Sequence, residues 1–111
     1  ELVGISLSVK AGEACYIPVA HLNGDTQLNR DHVLLRMKSW LESKTHLKVG
    51  QNLKYDIHVF ANYGITLGGV AFDTLLESYV LESHLPHNMD SMAERHLGVK
   101  TIRYEEVCGK T

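Results

Sequence analysis

The chain has little cysteine. Cys15 and Cys108 lie far apart, with no Cys-x-x-Cys pair and no further partner for a zinc knuckle, which is the usage of a reduced compartment rather than of a disulfide scaffold. It also has no surplus of positive charge. Eleven Lys and Arg against 13 Asp and Glu leave a net −2, so no global basic field announces a nucleic acid, and any such contact needs a local groove. No apolar run approaches a membrane span, and Glu1–Lys10 lacks the basic start and long apolar core of a signal peptide. Among seven histidines there is no His-x-His or His-Glu-x-x-His unit. His84 and His87, beside Pro86, are the only close pair, and a loop or surface role is expected for both. Gly109-Lys110-Thr111 imitates the end of a phosphate-binding loop, but Tyr104 stands where the first glycine should be.

What is present is an ordinary globular composition, 44% hydrophobic and 22% charged over 111 residues, with no repeat, low-complexity stretch or linker. One cytoplasmic domain over residues 1–111, with no membrane partner, is expected. A start at Glu1 rather than Met suggests a chain cut from something longer.

Leu2–Val9 alternates apolar and small or polar residues, Lys10-Ala11-Gly12-Glu13 supplies turn chemistry, and Ala14–Ala20 is again β-branched and aromatic, so a β-hairpin is expected. Cys15 then reads as a small core residue. Val33, Leu34, Met37, Trp40 and Leu41 form one apolar stripe of a helix capped by Asn29 or Asp31. Leu47–Gly50 is strand-like, and Asn52–Tyr63 reads as a second helix ended by Gly64. After Gly68-Gly69, a short strand Val70–Phe72 leads to a helix capped by Asp73 and running to Leu81, and Asp90 is expected to cap a fourth, Ser91–Leu97, closed by Gly98. The order ββαβαβαα implies an α/β domain, a mixed sheet flanked by helices.

The densest polar cluster is Lys48-Val49-Gly50-Gln51-Asn52-Leu53-Lys54-Tyr55-Asp56, where a predicted strand hands over to a helix, the end of a strand that ligands favour in α/β folds. With Asn52 as helix cap, Asp56 lies four residues on, and the positive end of the helix dipole favours its ionised form. A hard cation such as Mg²⁺ seeks such oxygens. On the plainer account Asn52 only caps the helix and Asp56 only complements its dipole. Lys44, Lys48 and Lys54 read as exposed lysines forming a weak basic rim.

The ordered blocks Lys48–Asp56, Ala61–Ile65, Ala71–Tyr79 and Asp90–Arg95 together resemble the 3′→5′ proofreading exonuclease domain of bacterial DNA polymerase I, across essentially the whole chain. The resemblance implies a ribonuclease-H-like fold and hydrolysis of DNA with two divalent metals, Mg²⁺ with Mn²⁺ or Zn²⁺ as substitutes. Asn52-Leu53-Lys54-Tyr55-Asp56 matches the second of that family's three motifs. It assigns Asp56 as a catalytic metal ligand and Asn52 as a contact to the terminal nucleotide. Gln51, Tyr55 and the turn carrying His87 and Met89 resemble positions bordering the groove for a single-stranded DNA 3′ end, and Tyr104 falls where an aromatic residue supports that end. Asp73 and Glu77 match a largely structural helix.

The family's first motif, Asp-x-Glu, would precede Glu1 and its third, Tyr-x-x-x-Asp, would follow Thr111. Neither Glu13 nor Asp25, in the hairpin and its exit loop, substitutes for them, and Pro86 stands where relatives often have arginine. The chain alone is therefore expected to hydrolyse little, and the polymerase domain of a parent chain is its expected partner. A vestigial scaffold domain beside a polymerase and an RNA-trimming exonuclease are the alternatives.

Overall fold

The computed structural model describes residues 1–21 and 27–108. Asp25 and the Gly109–Thr111 imitation of a phosphate loop fall outside them. The described elements are β1 (Gly4–Lys10), β2 (Glu13–Pro18), α1 (Arg30–Glu42), β3 (Lys48–Gly50), α2 (Leu53–Ala61), β4 (Val70–Asp73), α3 (Thr74–Leu81), α4 (Met89–Leu97) and α5 (Tyr104–Cys108). The α/β class holds. The strands do not join into one mixed sheet among the described residues: β1 pairs with β2 and β3 with β4 as two separate two-stranded sheets.

The chain divides into two compact units, Glu1–Lys48 with Lys54–Val70, and Val49–Leu53 with Ala71–Thr111. In the first unit the hairpin is antiparallel, with Gly4 opposite Pro18, Ile5 opposite Ile17 and Leu7 opposite Cys15, and its register shifts between Leu7 and Lys10. Gly12, at φ 79°, makes the tight turn that an L side chain would resist. Cys15 is exposed on β2, not buried as expected, because the core takes the larger apolar side chains instead. That core comprises Leu2, Ile5, Val33, Leu34, Leu41, Phe60 and Ile65, with Met37 and Trp40 packed against it as the α1 stripe requires. Each such side chain contributes about 1.5–3 kcal/mol by leaving water.

Asn29 caps α1, its side chain accepting the His32 N–H at 3.0 Å. Gly64 follows α2 at φ 75°. In the second unit the buried residues include Leu53, Ser78 and His87, and the two polar ones are hydrogen-bonded to each other. Asp73 caps α3 as expected. The cap of α4 is Asn88 rather than Asp90: Asn88 is extended, at φ −69° and ψ 155°, and its Oδ1 accepts the Ser91 N–H at 2.8 Å. Asp90 lies within the first turn, where its Oδ1 accepts from Thr101 Oγ1 at 2.5 Å. Gly98, at φ 66°, closes α4 as its sequence position implied.

Candidate nuclease site

The turn between β3 and α2 is where the sequence concentrates its polar residues, and it is not built as expected. Asn52 is no side-chain cap. It stands at φ 56°, the left-handed region that asparagine tolerates better than most residues, and it leaves the leading N–H groups of α2 to another partner. That partner is Asp73. Its Oδ1 accepts from Asn52 N and from Leu75 N, both at 2.9 Å, while its Oδ2 accepts from Leu53 N at 2.9 Å. One carboxylate thus caps α3 and holds the turn that leads into α2. Burial pushes the Asp73 carboxyl up, but the backbone N–H groups of Leu53, Asn52, Leu75 and Leu76 outweigh it, and its pKa lies below the ordinary 3.8.

Gln51 is pinned at both ends of its amide. Its Nε2 donates to the His87 carbonyl at 2.9 Å and its Oε1 accepts from Thr74 Oγ1 at 2.5 Å. His87 is only 9% exposed, not at the surface. The Ser83 carbonyl, 3.3 Å from its Nε2, can only accept, so that nitrogen carries the proton. In the neutral ring Nδ1 then accepts from Ser78 Oγ at 2.7 Å. The ring also lies 3.7 Å from that of Tyr79, centroid to centroid. Two hydroxyls, an amide and an imidazole therefore hold the 84–88 turn through their own groups, and the side chains of Gln51 and His87 are spent inside the unit. Asn52, Met89 and Tyr104 are exposed in the same unit.

In the first unit, Asp56 sits in the first turn of α2, half-buried, where the helix dipole favours its negative charge. Tyr55 beside it is 69% exposed. Lys48, expected on a solvated rim, is instead buried, because three backbone carbonyls satisfy its ammonium. Among the described residues no three His, Cys, Asp or Glu side chains gather into a set able to hold a metal ion. Asp56 is thus a single carboxylate, and these residues alone do not make a metal centre. Sequence reasoning missed Asp73 as the anchor of the Asn52 turn. The residues are 21 apart, and only the capping preference of aspartate hinted at any role.

Asn52 separates backbone strain from side-chain chemistry. Asn52→Gly removes the left-handed penalty while adding unfolded-state entropy, so stability should move by less than about 1 kcal/mol. Asn52→Val should cost about 1–3 kcal/mol. Thermal unfolding of both variants checks this, and an equal loss in the two would remove the backbone explanation.

The 3′-5′ exonuclease family model matches residues 1–111. The chain is 52% identical to DNA polymerase I of Pseudomonas aeruginosa, over 99% of this chain and 13% of that protein. It is 37% identical to DNA polymerase I of Rhizobium leguminosarum, over 98% and 13%, and 31% identical to that of Borreliella burgdorferi, over 99% and 12%. It spans about an eighth of the length of these curated relatives. No helix among the described residues is long and apolar enough to cross a membrane. A match across every block of the sequence, carried by a mixed α/β chain, leaves one assignment: the chain belongs to the 3′-5′ exonuclease family, in the form found in DNA polymerase I.

Proposed function

We propose that residues 1–111 are the central part of the proofreading exonuclease domain of a cytoplasmic bacterial DNA polymerase I, and that the parent enzyme removes nucleotides from a single-stranded DNA 3′ end. The observation that carries this is the family match over the whole chain, with Asn52–Asp56 leading into and opening α2. Two divalent ions, with Asp56 as one of their ligands, would supply an activated water and stabilise the leaving 3′ oxygen. Mg²⁺ is the expected ion, with Mn²⁺ or Zn²⁺ as substitutes.

The chain's own residues divide the remaining work. Asp56 offers one hard oxygen ligand at a helix start. Asn52 presents its amide to the terminal nucleotide, and Tyr55, Met89 and Tyr104 present exposed faces on which bases can pack. Gln51 and His87 border the groove differently, by fixing the turn that displays Met89. With one carboxylate of the metal set, the 111-residue segment alone hydrolyses little. The other ligands come from the rest of the parent chain, which also carries the polymerase domain.

The test is digestion of 5′-labelled single-stranded DNA and RNA of one sequence by the parent polymerase, with Mg²⁺ and after chelation. Stepwise shortening of DNA that chelation abolishes is expected. RNA shortened as fast as DNA would make the domain an RNA-trimming nuclease, and no shortening of either would make it a scaffold.

A further inference from the structure

Lys48 is a buried cation. It is 9% exposed, and its ammonium has three donors that meet three acceptors: the carbonyls of Ser43 at 3.1 Å, His46 at 2.7 Å and Gly68 at 2.9 Å. The Trp40 ring covers it, with Nζ 4.6 Å from the centroid. A solvated lysine needs none of this, since burying a charge is unfavourable unless every donor is satisfied. Burial pushes its pKa below the ordinary 10.5.

The three carbonyls belong to different stretches of the first unit. Ser43 is the C-cap of α1, whose last turn carries no basic residue, so Lys48 supplies from outside the cation that the negative end of that helix favours. His46 lies in the loop that follows. Gly68 is bonded in turn to α1, its N–H donating to the Leu41 carbonyl at 2.8 Å. The backbone of Lys48 joins the same cluster, its N–H donating to the Gly69 carbonyl at 2.7 Å. There is no slack in this arrangement. A Cβ on Gly68 would stand 2.4 Å from the Glu42 carbonyl oxygen, and one on Gly69, at φ 69°, 2.6 Å from that of His46.

Lys48 is also the first residue of β3 and stands eight residues before Asp56, so whatever fixes Lys48 fixes where the strand leading to Asn52 and Asp56 begins. We propose that Lys48 is a positioning residue for the nuclease reaction: its three-carbonyl grip, made within the first unit, fixes the start of the stretch of chain that leads to Asp56 of the same unit. This rests on the exonuclease assignment above. Misplacing a reacting group by about 1 Å costs up to about a hundredfold in rate without weakening substrate binding in proportion.

The experiment compares Lys48→Met with wild type in the parent polymerase, measuring kcat and KM for single-stranded DNA digestion, polymerase rate and thermal midpoint. We expect exonuclease kcat to fall about tenfold or more, with KM within about threefold and polymerase rate unchanged. Unchanged kcat would overturn the proposal and leave Lys48 a staple of the first unit. A raised KM at unchanged kcat would also overturn it, making Lys48 a cation for the DNA backbone. If Lys48→Met does not fold, Trp40→Leu, which uncovers the ammonium but keeps its three bonds, should lower kcat in the same direction, and an unchanged kcat there would count equally against the proposal. Wild-type polymerase without exonuclease activity would instead defeat the functional assignment, so the two failures are distinguishable.

Discussion

Asp56→Ala in the parent polymerase should lower Mg²⁺-dependent digestion of a DNA 3′ end about a hundredfold or more while leaving polymerisation intact. The size follows from what a carboxylate ligand contributes. Stabilising charge through a bound cation is worth several kcal/mol, and about 3 kcal/mol is already about a hundredfold in rate. Asp56 is the carboxylate in the first turn of α2, and among the described residues no cluster of other ligands stands ready to replace it. Its removal also takes away the favourable contribution of a negative charge at the helix start, about 0.3–1 kcal/mol, and a thermal midpoint measured beside the rates separates lost folding from lost chemistry. Asp56→Asn keeps the volume and loses the charge, and should fall nearly as far. Rates within a few-fold of wild type in either variant would sink the assignment of Asp56 as a metal ligand, whatever the family resemblance.

How much of this was legible beforehand follows from the range of the forces involved. The hairpin and α1 were legible because alternation, turn residues and the Asn29 cap are local, and the structure places β1, β2 and the cap accordingly. The cap of α4 was misassigned by two residues. Asn88 and Asp90 have nearly equal capping preference, and the backbone angles that decide between them are set by packing. Helix α5 was missed because five residues carry no readable period. The single sheet expected from ββαβαβαα did not form among the described residues, since strand order says which elements exist and not which edges meet.

The site was legible in its residues and illegible in its scaffolding. Asn52 and Asp56 stood out through composition and spacing, whereas the groups holding the turn are distant in sequence: Asp73 bonds Asn52 across 21 residues, and Lys48 reaches Gly68 across 20. Lysines are usually solvated, and nothing in Lys48-Val49-Gly50 signals three carbonyls converging on one ammonium. Gln51 and His87 show the opposite error. Gln51 adjoins the motif and His87 matches a groove position through the family resemblance, so both read as surface contacts, yet their donors and acceptors are spent within the second unit. A sequence shows what a side chain can donate or accept, and only the fold shows whether anything has already taken it.

Asp73→Asn tests the scaffolding directly. The asparagine keeps one acceptor oxygen and turns its NH₂ toward an N–H group that Asp73 now accepts, so of the bonds from Asn52, Leu53 and Leu75 at least one becomes donor against donor. Losing a charge-assisted bond and part of a cap should cost about 2–4 kcal/mol. Amide exchange in the parent protein localises the loss, with Asn52, Leu53 and Leu75 losing protection together. The dependence on pH has a definite sign. The folded pKa of Asp73 lies below 3.8, so its stabilisation is complete above that value and is lost as the pH falls from 3.8 through the lower folded value. Asp73→Asn should be weaker than wild type at neutral pH and should show a shallower acid limb below pH 3.8. If all three amides stay protected and the acid limb is unchanged, the turn is held by Gln51 and Thr74 rather than by Asp73. If only Leu75 opens, the carboxylate is an ordinary cap of α3, and the left-handed Asn52 must be held by the segment's own packing.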